Sequence, residues 1–111
     1  MNTDEFREIA LSLPAVVEKS HMDHPDFRVN EKIFATLGYP DENWAMVKLT
    51  RDEQKAFVLD TSGAFVPVKG VWGKQGCTNV RLEAVDTSTA KRAIASAWSN
   101  IAAKRQASTR K

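Results

Sequence analysis

"NVRLEAVDTSTAKRAIASAWSNI", residues 79–101, changes its hydrophobic period halfway along. Val80, Leu82 and Ala84 alternate with Asn79, Arg81 and Glu83, the two-residue repeat of a strand with one face in the core and one in water. From Ala90 the apolar residues recur as Ala90, Ile94, Ala97, Trp98 and Ile101, which is the spacing of a helical stripe. Asp86 or Ser88, between the two patterns, supplies the helix cap. A strand feeding a helix in this way buries Val80 and Leu82 beneath Ile94, Trp98 and Ile101, and turns Arg81 and Glu83 away.

The rest of the chain supplies partners for this unit. Phe6, Ile9, Ala10 and Leu13 fall at i, i+3, i+4 and i+7, with Thr3 or Asn2 as cap and Pro14 just beyond, which predicts a first helix. Residues 15–25 read as an extended stretch and a turn, because Pro25 disfavours a helical His24. FRV and KIFATL flank Asn30-Glu31 at hairpin spacing, although Glu31 is ill suited to the positive φ such turns need. WAMVKL, residues 44–49, is apolar on both sides and reads as a central strand. Thr50 and Glu53 form a capping box ahead of a short helix, RDEQKAFVL, with Gly63 beyond it. The order helix, strand meander, short helix, loop, strand, helix predicts one α+β domain: an antiparallel sheet with the N- and C-terminal helices packed on one face.

Composition agrees with a single small domain. The chain has 111 residues, 42% hydrophobic and 27% charged, enough for one core and too few for two. One cysteine, Cys77, excludes an internal disulfide and suits a reducing cytoplasm. No stretch approaches the roughly 20 apolar residues of a membrane span, and the acidic start MNTDEF is unlike a signal peptide. The expectation is a soluble, cytoplasmic protein, monomeric and without a membrane partner. Charge is uneven: residues 1–60 carry 7 Lys or Arg against 12 Asp or Glu, and residues 61–111 carry 9 against 2. That asymmetry either gives the molecule a basic side for a polyanion or is interleaved away by the fold. QASTRK, residues 106–111, has no apolar content beyond one alanine to bury, so the domain is placed at 1–105 and a disordered basic tail at 106–111.

Three segments, HPDFRVNEKIFATL, WGKQGCTNVRL, and AW followed by AKR, resemble the MmcQ/YjbR family of small bacterial proteins over nearly the whole chain. The resemblance implies a CyaY-like, or frataxin-like, α+β fold. It also implies DNA binding through two projecting wings, with no catalytic residues and no cofactor to carry over. The sequence departs from the family pattern at Cys77, where a Trp is expected, and at Asn30-Glu31, where Gly-rich turns are usual.

PVKGVWGKQGCTNVRL, residues 67–82, fits three roles: a fold-shaping turn, a phosphate cradle, or a basic loop resting on nucleic acid. It lacks the Gly-Lys-Ser/Thr of a Walker loop. Gly73-Lys74-Gln75-Gly76 matches the G-x-x-G of KH domains, but that clamp joins two helices and this one enters a strand. As a turn, the glycines supply positive φ and Trp72 plugs the core edge. As a wing, Lys69 and Lys74 contact phosphates, Gln75 or Asn79 hydrogen-bonds the backbone or a base edge, and Arg81 extends the patch across the wet sheet face. Lys104 and Arg105, in the last turns of the final helix, add a second set of contacts or simply complement the helix dipole. DNA, held without sequence preference, is the expected partner.

The other reading is a non-catalytic frataxin-like module that binds a metal, a small ligand or a protein. His21, Asp23 and His24 bring three ligand types within four residues, but nothing in the sequence closes a tetrahedral site around them. Cys77 reads as a small buried thiol rather than a nucleophile, and the carboxylates follow cap and surface positions. Catalysis is not expected.

Overall fold

Asn2 starts the first helix: its side chain accepts from Glu5 N while the Glu5 carboxylate accepts from Asn2 N, so two otherwise free amides are satisfied. In the computed structural model, which describes residues 1–109 and side chains through residue 103, this helix is α1, Thr3–Leu11. It is followed by β1 (Val17–His21), β2 (His24–Val29), β3 (Lys32–Leu37) and β4 (Trp44–Lys48). Then come α2 (Arg51–Asp60), β5 (Phe65–Pro67), α3 (Val71–Lys74), β6 (Cys77–Arg81) and α4 (Thr87–Thr109). The capping box expected at Thr50 and Glu53 opens α2, and the Asp86 carboxylate accepts from Thr89 N at the start of α4. Residues 110 and 111, and the side chains of Lys104 and Arg105, lie outside the described residues.

The strands form one antiparallel sheet in the order β1-β2-β3-β4-β6-β5. Two two-residue turns make its first hairpins, Met22-Asp23 at φ 50° and 66° and Asn30-Glu31 at φ 52° and 67°. Both residues of each turn are left-handed, the geometry that matches the twist of the flanking strands, and Glu31 adopts it despite its side chain. A register shift opposite Phe27 and Arg28 leaves Phe34 and its neighbour Ala35 both fully buried.

Helices α1 and α4 pack together, and α4 lies across β2, β3 and β4. The core between them holds Phe6 and Phe27, with ring centres 6.2 Å apart, together with Phe34, Val47, Val80 and Ile94. Val80 and Leu82 are buried as their period predicts. The strand is shorter than its pattern, however: β6 ends at Arg81, the amides of Ala84 and Val85 both bond the Arg81 carbonyl, and Ala84 is exposed while Val85 is buried. Trp98 is half-buried, its indole N–H donating to the Pro14 carbonyl at 3.0 Å and so fastening the chain after α1 to α4. Among the described residues no helix is long and apolar enough to cross a membrane.

The glycine-rich stretch is dictated by close approach. Gly73 sits in the single turn of α3 with the Val68 carbonyl where a Cβ would be, and Gly76, at φ 114°, meets the Leu49 carbonyl in the same way. Leu49 N donates to Gly76 O at 3.2 Å. The buried amide of Gln54, on α2, donates to Gly73 O at 3.0 Å and lies 3.1 Å from both Cys77 O and Thr78 Oγ1. The loop is thereby welded to β4, α2 and β6.

Candidate nucleic-acid interface

Because the strands alternate, one face of the sheet is left without a helix over it. Phe27, Ala35, Val47 and Val80 face the helices, so their neighbours Asp26, Arg28, Thr36, Met46, Lys48, Asn79 and Arg81 face the other way. On this bare face a hollow of about 550 Å³ opens over β3, β4 and β6. Ile33, Thr36, Met46 and Asn79 line it. Its rim carries Met22 from the first hairpin turn, Tyr39 after β3, and Trp72 on α3, which are 86%, 64% and 61% exposed. His24 braces Tyr39 edge-on, with ring centres 5.9 Å apart.

The charge of the bare face comes from strand positions. Lys19, Arg28, Lys48 and Arg81 point from it, and the one carboxylate at a strand position there is Asp26. Asp26 is fully buried: Arg28 Nε reaches Oδ1 at 2.7 Å, Arg28 Nη2 reaches Oδ2 at 3.1 Å, and His21 Nδ1 lies 2.7 Å from Oδ2. The Arg28 hydrogen bonds hold its carboxyl below the usual range, with burial opposing them and His21 assisting. Arg81 lies over Trp44, its guanidinium carbon 4.5 Å from the ring centre.

A stability test follows from Asp26. Its native pKa lies below its unfolded value, so the unfolded chain binds the extra proton first as pH falls. Stability is therefore full above the unfolded carboxylate pKa of about 4 and is lost as pH drops through the native value. Urea denaturation should show wild type weakening below about pH 4, with a flatter acid profile for Asp26→Asn. At pH 7 that variant should lose about 2 kcal/mol, less than a wholly enclosed ion pair because Arg28 and His21 keep contact with water. An unchanged acid profile in the variant would remove Asp26 as the source.

The expected wing residues are only partly brought together. Asn79 and Arg81 share the bare face, with Asn79 in the hollow and Arg81 at the Trp44 end of the sheet. Lys69 and Lys74 are exposed on either side of Trp72. Gln75 caps α3 and lines a neighbouring groove near Lys32 and Lys48 instead of the hollow. Lys104 and Arg105 fall on α4, outside the described side chains.

Two expectations are corrected. Trp72 does not plug the core edge: Gly73 takes the inward position of α3, against Val68, and the residue before it is turned out to solvent. His21, Asp23 and His24 do not assemble, since His21 is bound to Asp26, Asp23 occupies the turn and His24 packs on Tyr39. Among the described residues no three His, Cys, Asp or Glu side chains form a group that could hold a metal. Met22, Tyr39 and Lys48 were not singled out by sequence, and only the two-residue hairpin turn at Met22 carried a signal of exposure.

One covered and one bare sheet face, with cations and aromatic rings on the bare side, define an open-faced α+β domain. The YjbR family model matches residues 11–100, and the chain belongs to that family. No curated protein matches it.

Proposed function

We propose that this chain is a non-catalytic nucleic-acid-binding module that lays its bare sheet face and the glycine-rich loop against a phosphate backbone. The observation that carries the reading is the charge pattern of the bare face: Lys19, Arg28, Lys48 and Arg81 project from its strands, and its lone strand carboxylate is buried beneath Arg28. Lys69 and Lys74 extend the cationic set at the β6 side. Cys77 offers no ready thiolate nucleophile, since burial pushes its thiol up, with Lys48 opposing.

Phosphate contacts release counterions, so affinity for duplex should fall steeply with salt and show little sequence preference. Contacts from Lys69, Lys74 and Arg81 predict a slope of about −2.7 in log K against log salt, and Lys69→Ala/Lys74→Ala should flatten it by about 1.8. A labelled duplex titrated at several salt concentrations reads both. Identical slopes for the two proteins would remove the glycine-rich loop from the interface, and no binding at low salt would overturn the reading for duplex.

A further inference from the structure

Phosphate contact leaves the hollow unexplained, and this inference rests on the nucleic-acid reading above. We infer that the hollow receives unpaired bases, so that single-stranded nucleic acid is the preferred ligand of the bare face. A duplex presents phosphates outward and keeps the faces of its bases stacked on one another. It therefore has nothing with which to cover Met22, Tyr39 and Trp72, three large side chains standing in water around an apolar floor. A single strand offers both a polyanionic backbone and free π-faces, and proteins that hold it combine cationic tracks with aromatic platforms.

The placement of the rings suits that task. Trp72 is fixed outward by the Gly73 contact with Val68, Tyr39 is braced by His24, and the two come from different elements, α3 before β6 and the turn after β3. β3 and β6 are two strand spacings apart, about 10 Å, which leaves room for bases between the rims. Met46 and Ile33 supply an apolar bed, while Asn79 and Lys48 supply an amide and a cation within it.

Charge selects the occupant. None of the described residues lining the hollow is a carboxylate, Lys48 lies in it, and exposed Lys69 and Lys74 flank the rim residue Trp72 along the chain. A polyanion with flat apolar groups satisfies both features, whereas a basic or merely apolar polypeptide satisfies at most one. Arg81, over Trp44, adds a guanidinium at the end of the sheet that a further base or phosphate can meet.

The test compares a labelled oligothymidylate of about 12 nucleotides, within the range that one single-strand-binding OB-fold covers, with a duplex of the same length. Wild type, Trp72→Ala, Tyr39→Ala and Lys69→Ala/Lys74→Ala are titrated at two salt concentrations. The single strand should bind more tightly than the duplex. Trp72→Ala should weaken the single strand by about tenfold to a hundredfold with its salt slope unchanged, and leave the duplex alone. The lysine pair should flatten the slope for both ligands. Both aromatic residues are surface groups, so their melting curves should match wild type, separating lost stacking from lost folding. Equal affinity for the two ligands with no effect of Trp72→Ala would overturn the inference and leave the duplex reading standing. Failure of both ligands to bind would overturn both. A self-associated wild type that Trp72→Ala returns to monomer in sedimentation would replace the strand with a second copy of this chain.

Discussion

Gly76→Ala is expected to cost more than about 4 kcal/mol, most of the stability of a domain this size. Two effects combine at this position. The residue is held at φ 114°, where an L side chain is strained, and the new methyl would enter the Leu49 carbonyl, whose own residue is hydrogen-bonded to Gly76. No flexible side chain can move aside, because both colliding groups are backbone held in the sheet and its weld to the loop. Gly73→Ala meets the Val68 carbonyl in the same way and should behave similarly. Gly63→Ala is the control: it has the positive φ of 83° but open space around it, and should lose only about 1 kcal/mol. Urea denaturation followed by circular dichroism measures all three. A loss at Gly76 no larger than at Gly63 would show that conformation alone, and not close approach, fixes the glycine.

Gln54→Glu should be nearly as damaging at pH 7, at about 3 kcal/mol or more. In the native protein the buried Gln54 amide donates into a ring of oxygens, from Gly73, Cys77 and Thr78, while the Thr78 hydroxyl donates onward to Gly76 O. A carboxylate there would set negative charge against two carbonyl oxygens and bury it without a cation. Protonation restores a donor, so this variant should bind a proton more tightly folded than unfolded and gain stability as pH falls from 7 toward 5. Wild type has no such gain, since the Asp26 effect begins lower. Gln54→Met removes the donor without adding charge and should lose about 1 to 3 kcal/mol with no pH dependence in that window. A Glu variant whose stability is the same at pH 7 and pH 5 would mean that the site relaxes and admits water.

Much of this architecture was legible because its elements are long enough to carry a period. The stripe of α1, the Thr50 capping box, the Asn30-Glu31 hairpin and the burial of Val80 and Leu82 all follow from local spacing. β5 and α3 did not, because three residues and a single turn repeat nothing, and Pro67 within β5 argues against a strand. The end of β6 was misjudged for a related reason: Ala84 continues the alternation by chance, while a backbone turn on the Arg81 carbonyl has already ended the strand.

The interface divides along the same line. The outward placement of Asn79 and Arg81 follows from period two, and the exposure of Lys69 and Lys74 from their place beside the loop glycines. The outward aim of Trp72 does not, since it is decided by Gly73 meeting a carbonyl five residues upstream across the loop. Composition even argued the other way, as Trp, Met and Tyr usually seek cover. The Asp26 cluster was only half legible: Arg28 stands two residues along the same strand face, but His21 reaches Asp26 only because β1 folds back against β2.

The alternation of β6 has a consequence for how this surface can change over time. Thr78 and Val80 are locked into packing, while Cys77, Asn79 and Arg81, their immediate neighbours along the strand, belong to the side without helices. Open-face and core positions are interleaved residue by residue, yet they are mechanically separate. A library randomised at Thr36, Met46 and Asn79 should yield mostly folded members with altered ligand preference, whereas one randomised at Ala35, Val47 and Val80 should yield mostly insoluble chains. The sheet thus works like a printed page: its reverse bears the binding that holds the volume together, and its front can be reset line by line.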